Sequence, residues 1–263
     1  MAKIQILGIN GNKEKEISTE IFAGEIRPDI VQKIAEIERN SAKQPYSPFM
    51  WAGMQSSASG NVKHNRHVWK TDRGRGTSRF PKKRMSDKGS HFVWVGAIIP
   101  GVRGGRRAHP PKIPRTDIKI NKKEKIFALK SALAMISSME EIKKKYSRLN
   151  GHELKIKLPL VIDAKILGLK AKQFFETLVK IVGENMMGVA VQEKSIRAGA
   201  GKMRGRKYKQ NAGMLFVLGN KEKIKISGID TIKVKDIEIR DLVENGARLV
   251  MFTEEAVKNS TPD

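Results

Sequence analysis

The chain has 263 residues and a formal net charge of +25, from 52 Lys and Arg against 27 Asp and Glu. Its 39% hydrophobic content is below the roughly 45–50% of average globular chains, so we expect part of it not to fold alone. Without cysteine it can hold no disulfide, thiolate zinc site or cysteine nucleophile. It contains no run of about 18 apolar residues and no apolar leader, so we expect a soluble, cytoplasmic protein without a membrane partner.

The first residues predict a β-hairpin followed by a helix. Residues 3–8 alternate as a strand does, Asn10-Gly11-Asn12 is a turn signal, and residues 14–17 can return as the second strand. Pro28 and Asp29 then suit the first turn of a helix. Its isoleucines recur at helical spacing, which predicts one face in the core: Ile30, Ile34 and Ile37.

A long segment without helical or strand periodicity follows, up to residue 115. It is rich in Pro, Gly, Ser and Arg. Structureless stretches above about 15 residues inside a compact domain are usually functional or disordered. We therefore interpret residues 45–115 as an extended loop inserted between two helices. One alternative stays open, because Phe92-Val93-Trp94-Val95 could form a local β arm.

Regular structure returns at Asn121, which with Glu124 predicts a capping box. Short apolar strands are expected at 160–162, 189–191, 214–218 and 248–252, and helices at 170–182, at 236–243 and after Thr253. This alternation predicts an α/β fold with a mostly parallel sheet, covered by helices on both faces in Rossmann-like layers. The globular body would comprise residues 1–44 and 116–263, with residues 45–115 as the inserted loop.

The positive charge lies in two blocks. Between Arg39 and Thr116 the only acids are Asp72 and Asp87, whereas residues 63–115 contain 15 Lys and Arg. A second block of seven cations lies between Lys194 and Lys209. Charge runs are often solvated faces, but the first block also interleaves its arginines with Trp51, Trp69 and Trp94. Guanidinium and indole groups stack on unpaired bases, so we interpret this segment as RNA-binding.

Enzyme sites are hard to assemble from this sequence. The glycine-rich stretch 197–206 has neither the spacing of a phosphate-binding P-loop nor that of a dinucleotide fingerprint. His64 and His67 lie among cations without a third metal ligand. Asp163 ends a strand, where a helix cap is more common than a catalytic acid. We therefore expect no catalytic residue, no metal and no cofactor.

Several motifs in order resemble one family. The stretches are RGRGTSR at 73–79, GGRRAHPPK at 104–112, NKKE at 121–124 and GRKY at 205–208. With them, nearly the whole chain resembles the large-subunit ribosomal protein L-four family, of archaeal and eukaryotic type. That resemblance implies a structural constituent of the large ribosomal subunit, in the cytoplasmic ribosome, whose long loop lines the nascent-peptide exit tunnel. It implies as partners ribosomal RNA, neighbouring ribosomal proteins and the nascent peptide.

Carried onto this chain, the resemblance and the two basic blocks together predict the RNA-contacting side chains. The loop tip would comprise Arg73, Gly74, Arg75, Gly76, Thr77 and Arg79. RNA contacts are predicted for Lys63, Arg66, Trp69, Lys70, Arg73, Arg75, Arg79, Lys82, Lys83, Arg84, Arg103, Arg106, Arg107, His109, Lys112, Lys202, Arg204, Arg206, Lys207 and Lys209. The alternative is an RNA-processing or RNA-modifying enzyme with a basic substrate arm, which would need a catalytic acid or a cofactor pocket at the strand ends.

Overall fold

A computed structural model describes residues 2–58, 67, 78–89, 91–113, 116, 118–149, 156–224 and 226–260. The chain forms two compact units. The first, which we call the body, comprises Met1–Ala42 and Asp117–Asp263. The second, the extension, comprises Lys43–Thr116. No helix in the described ranges is long and apolar enough to cross a membrane.

The body is built on a six-stranded sheet. The hairpin of β1 (Ala2–Leu7) and β2 (Lys13–Thr19) is antiparallel, as the turn signal predicted. The other strands are β5 (Leu160–Ile162), β8 (Leu215–Leu218), β9 (Asp230–Lys233) and β10 (Val250–Thr253). The six strands lie in the order β2-β1-β5-β10-β8-β9, and every neighbouring pair after β2–β1 is parallel. The predicted α/β class with a mainly parallel sheet is therefore confirmed.

The three central strands are apolar throughout because both of their faces are covered. Every residue of β5, β8 and β10 is buried, which is the pattern of a sheet packed on both sides. Aromatic rings fill the space beside it: the Phe174 and Phe216 centroids lie 6.0 Å apart, and those of Phe22 and Phe252 lie 5.4 Å apart. Burial of such side chains stabilises a fold by about 1.5–3 kcal/mol each.

Seven α-helices lie in the described ranges, and all of them belong to the body. Their bounds are α1 Pro28–Ser41, α2 Lys122–Ser137, α3 Met139–Lys145, α4 Ala171–Val182, α5 Glu184–Ala190, α6 Ile239–Leu242 and α7 Glu254–Asn259. The seventh, α7, follows β10 directly and contacts the sheet itself. The buried stripe of α1 consists of Val31, Ile34, Ala35 and Glu38, so Ile30 and Ile37 lie at its margins.

Three local predictions are wrong or incomplete. Residues 189–191 are not a strand, because α5 continues to Ala190 and a three-residue apolar run is too short to distinguish the two. Asn121 caps α2 by accepting from the Lys123 amide at 3.1 Å, but Glu124 pairs with Lys33 at 2.6 Å instead of completing a capping box. Asp163 makes no side-chain cap and pairs with Lys165 at 3.2 Å.

The extension contains regular structure that its composition did not indicate. Strands β3 (Lys82–Lys88) and β4 (His91–Gly96) form an antiparallel hairpin, so the local β arm left open above is present. Its register shifts between Arg84 and Ser86, which leaves Met85 as an exposed bulge residue. Residues 82–96 are therefore folded as a hairpin, and the extension is not an extended loop throughout.

Thr253 offers a test of the sheet's carboxyl edge. Its buried hydroxyl accepts from the Ala256 amide at 3.2 Å, which caps α7, and donates to the Glu222 carboxylate. We expect Thr253→Ala to lower the free energy of unfolding by about 1–2 kcal/mol. The variant removes the cap of α7, so the Ala256 amide loses its hydrogen-bond acceptor. Urea denaturation measures the change. Thr253→Ser keeps both hydrogen bonds and is the matched control; equal losses in both variants would contradict this account.

Candidate nucleic-acid interface

The second basic block forms a hairpin that projects from the body. Strands β6 (Lys194–Ile196) and β7 (Tyr208–Gln210) pair antiparallel, and all six of their residues are exposed. Residues 200–204 form a 3-10 turn at the tip, between Gly199 and Gly205, both at positive φ. The Arg197 amide donates to the Lys207 carbonyl at 2.9 Å and continues the ladder toward the tip. We call residues 193–211 the basic hairpin.

Six cations of the basic hairpin face solvent without a carboxylate partner. They are Lys194, Lys202, Arg204, Arg206, Lys207 and Lys209. None of them takes part in an ion pair between described residues. The seventh, Arg197, is half-buried and donates from Nε to the Arg206 carbonyl at 3.3 Å. Charges left unneutralised in this way attract a polyanion and displace its counterions.

A network of mostly uncharged groups fixes the base of this hairpin to the sheet. The Gln192 amide donates from Nε2 to Asp230 Oδ2 at 2.8 Å and to the Ala212 carbonyl at 3.1 Å. Asn211 donates from Nδ2 to the Val191 carbonyl and accepts from the Glu193 amide, both at 2.8 Å. These bonds close the two ends of the hairpin against each other, and Asp230 joins them to β9.

Arg248 carries the network to the neighbouring strand. Its guanidinium pairs with Asp230 and donates from Nε to the Gly213 carbonyl at 3.1 Å. The same carbonyl accepts from the Tyr146 hydroxyl at 2.8 Å. Burial raises the pKa of Tyr146. The hairpin is thus held by residues at the amino ends of β8, β9 and β10.

Lys145 lies close enough to Arg248 for their positive charges to repel each other. Burial, and then repulsion by Arg248, lower the pKa of Lys145 to about 8, while Glu244 opposes the shift. Its ammonium donates to the Glu244 carbonyl oxygen at 2.9 Å. Burial, reinforced by the positive charge of Arg248, therefore disfavours the charged form of Lys145.

The extension presents its own cations. Arg79, Arg84, Arg103, Arg107, His109 and Lys112 are exposed, and Lys83 and Arg106 are partly buried. Lys82 differs from them, because it is only 9% exposed and its ammonium lies 5.7 Å from the Phe80 ring centroid. Most of the described cations that the sequence singled out here can therefore reach an external partner, whereas Lys82 packs within the extension.

Part of the predicted interface lies outside the described residues. This concerns Lys63, Arg66, Trp69, Lys70, Arg73, Gly74, Arg75, Gly76 and Thr77. Of the predicted loop tip only Arg79 is described, and of the two histidines at 64 and 67 only the exposed His67. Among the described side chains, no group of three His, Asp or Glu could hold a metal ion.

Three polar side chains at the carboxyl edge of the parallel sheet, where α/β proteins bind small ligands, contact other groups of the body: Asp163, Glu222 and Thr253. Glu222 accepts from the Gly219 amide at 2.7 Å and from the Thr253 hydroxyl. Burial alone would raise the pKa of Asp163, but the Lys165 ammonium, together with the Ala164 amide and the charge of Lys15, holds that pKa below its usual range. A carboxyl group with a lowered pKa and an ammonium partner is a poor proton donor.

Together these features define a class: an α/β protein that presents exposed cations from the amino edge of its sheet and from a separate extension, as polyanion-binding proteins do. The chain belongs to the Ribosomal protein L4/L1 family, whose family model matches residues 15–261.

Archaeal relatives match over almost the whole length. The large ribosomal subunit protein uL4 of Methanococcoides burtonii is 35% identical, over 98% of both chains. The proteins of the same name from Methanospirillum hungatei and Thermoplasma acidophilum are each 33% identical. These matches cover 97% and 98% of this chain, and 97% and 96% of the relatives, respectively.

Sequence reasoning missed the residues that hold the basic hairpin in place. Gln192, Asn211, Asp230 and Arg248 carry no motif, and Asp230 and Arg248 come from different strands. The one available signal was a pair of polar side chains, Gln192 and Asn211, at the two ends of a basic segment. That signal indicates a closed loop but does not identify the sheet residues that bind it.

Asp230 tests the anchor directly. We expect Asp230→Ala to lower the free energy of unfolding by about 1–3 kcal/mol, because Arg248 is left largely buried without its carboxylate. We also expect faster tryptic cleavage at Lys202 to Lys209, since the hairpin base loses its bond from Gln192. The control is Asp236→Ala, which removes the same charge from an exposed position. Identical cleavage rates in both variants would contradict the anchoring role.

Lys145 gives the anchor a pH signature. The unfolded chain keeps an ordinary lysine pKa near about 10.4, whereas the folded value is about 8. Between these values the unfolded state binds more protons, so the stability contribution of Lys145 rises with pH through this window and is least favourable below pH about 8. We expect Lys145→Met to stabilise the chain by about 1–2 kcal/mol at pH 7, after discounting for partial exposure.

The difference between Lys145→Met and the unchanged chain should shrink toward pH 10, as measured by urea denaturation at several pH values. Lys143→Met is the control for the same chemical change nearby on α3. A difference that stays constant from pH 7 to pH 10 would show that the lysine is not strained by its surroundings.

Proposed function

We propose that the chain is a structural constituent of the large ribosomal subunit and binds ribosomal RNA through the basic hairpin and the extension. The observation that carries this proposal is the set of six exposed hairpin cations without carboxylate partners. Family membership and the names of the archaeal relatives support it. Within the ribosome, in the cytoplasm, its partners are ribosomal RNA and neighbouring ribosomal proteins.

A structural rather than catalytic role is supported by the two edges of the sheet. The described groups at the carboxyl edge stabilise the fold through Asp163, Glu222 and Thr253. The exposed charge lies at the amino edge, where α/β enzymes do not usually place their reacting groups. We therefore infer that an RNA-processing role, the alternative raised by the sequence, is the weaker interpretation.

We further infer that the extension reaches into ribosomal RNA and lines the nascent-peptide exit tunnel. This rests on the family resemblance, on the scarcity of acids between Arg39 and Thr116, and on the exposed cations of its described part. The tip would be the segment from Arg73 to Arg79, which would meet the nascent peptide.

Salt dependence tests the RNA-binding proposal. If about eight cations displace counterions, the logarithm of affinity for ribosomal RNA should fall with the logarithm of salt concentration at a slope of roughly −6 to −7. Replacing Arg204, Arg206, Lys207 and Lys209 by Ala should reduce that slope by about three. The control replaces four exposed cations elsewhere on the body: Lys172, Lys221, Lys223 and Lys235. Filter binding with large-subunit RNA at several salt concentrations measures the slope for the unchanged chain and for each variant. A slope near zero for the unchanged chain would contradict the proposal.

A second experiment separates the roles of the two units. Replacing the same four hairpin cations by Ala should reduce incorporation into large subunits, because the hairpin anchors the body. Replacing Arg73, Arg75 and Arg79 by Ala should leave incorporation largely intact and alter translational arrest by stalling peptides. Quantitative mass spectrometry of purified subunits measures incorporation of each variant, and a translation assay measures arrest by stalling peptides. Loss of incorporation in the tip variant alone would reverse the proposed division.

A further inference from the structure

One segment of the extension exposes large apolar side chains without covering them. Tyr46, Phe49, Met50 and Trp51 are 91%, 59%, 76% and 59% exposed. Contiguous exposed apolar groups of this kind mark an interaction site more often than a solvated surface. The sequence reasoning had assigned no role to three of these four residues.

This segment is an ordered turn. The Ala52 amide donates to the Phe49 carbonyl at 3.0 Å, and the Met54 amide donates to the Trp51 carbonyl at 2.9 Å. Pro45 and Pro48 restrict the backbone before it. The aromatic side chains are therefore presented by a backbone that is already folded, which lowers the entropic cost of binding. We call residues 46–54 the aromatic turn.

The aromatic turn packs closely against the backbone of residues 105–106, beside the arginines at 103, 106 and 107. Gly53 has φ +76°, and a Cβ atom built on it would lie 2.4 Å from the Gly105 carbonyl oxygen and 2.7 Å from the Arg106 amide nitrogen. Residues 98–106 form a loop that is closed by a hydrogen bond of 3.1 Å from the Arg106 amide to the Ile98 carbonyl. The two backbones can approach this closely only because residue 53 has no Cβ atom.

The resulting surface combines aromatic faces with cations. Arg103 and Arg107 are exposed, Arg106 is partly buried, and no acid lies in the sequence between residues 39 and 71 or between residues 88 and 116. An unpaired nucleotide supplies the complement of both features, an aromatic face and a phosphate charge. A duplex conceals its base faces by stacking, and an uncharged apolar partner would leave the arginines without anions.

The geometry points to the aromatic turn as a stacking site for unpaired nucleotides of RNA, with Phe49 and Trp51 against the bases and the arginines of residues 103–107 against the phosphates. This rests on the proposed RNA-binding function and specifies which form of RNA the extension recognises. Stacking of a base on an aromatic side chain is sequence-tolerant, so the site selects single strands over duplexes and not one base over another.

The test uses the full chain and two synthetic RNA probes of equal length and composition, one single-stranded and one self-complementary duplex. In a variant with Trp69→Phe and Trp94→Phe, Trp51 is the only tryptophan. The single-stranded probe should quench its fluorescence, and the duplex should not. Trp51→Ala and Phe49→Ala should each weaken single-strand binding on the order of tenfold, with an unchanged salt slope.

Matched variants separate stacking from other effects. Trp51→Phe keeps an aromatic face and should retain most of the affinity, whereas Ile118→Ala removes an exposed apolar group from the body, outside the basic hairpin, and should change nothing. Gly53→Ala should weaken single-strand binding although every aromatic side chain remains, because the turn can no longer meet Gly105.

Three results would overturn the inference: unchanged affinity in the Trp51 and Phe49 variants, equal losses on duplex and single strand, or unchanged RNA binding together with poorer incorporation into subunits. The last would identify a neighbouring protein as the occupant. In each case the hairpin variants would still test the proposed function, which falls only if their removal of cations leaves binding to ribosomal RNA unaffected.

Discussion

The mutual repulsion of like charges is the constraint that the rest of this structure accommodates. Six exposed cations share one hairpin, and neighbouring unit charges a few ångströms apart cost about 1 kcal/mol per pair even in water. The hairpin is held instead by amide groups and carbonyls at its base, together with the ion pair of Asp230 and Arg248. Because no described carboxylate neutralises the tip, its charge stays available to the RNA partner that we propose.

The described polar groups at the two edges of the sheet have different partners. At the carboxyl edge, Thr253, Glu222 and Asp163 bind other groups of the body, which stabilises the turn into α7 and the loops beside it. At the amino edge, Arg248 and Asp230 lead out to the basic hairpin. The described polar groups of the carboxyl edge thus serve the fold alone, whereas those of the amino edge stabilise the fold and also hold the hairpin that we propose binds RNA.

The sequence was sufficient to predict the main strands and helices of the body, but not the contacts that hold the basic hairpin and the aromatic turn in place. Buried strands such as Leu160–Ile162 and the helix with Phe174 and Leu178 follow from local apolar patterns. The β3–β4 hairpin was only an open alternative, because arginines and lysines interrupt its alternation. The bond between Gln192 and Asp230, and the meeting of Gly53 with Gly105, join residues that are distant in sequence and carry no local signal.

Hydrogen exchange in the free, full-length chain tests the central claim most directly, which is that the basic hairpin is folded before RNA arrives. The informative amides are those of Arg197, bonded to the Lys207 carbonyl at 2.9 Å, and Arg206, bonded to the Gly201 carbonyl at 3.1 Å. A preformed hairpin predicts that both exchange more slowly than unstructured amides without RNA, and that RNA adds little further protection. Exchange at unstructured rates until RNA is added would contradict this account, because the hairpin would then fold only on binding.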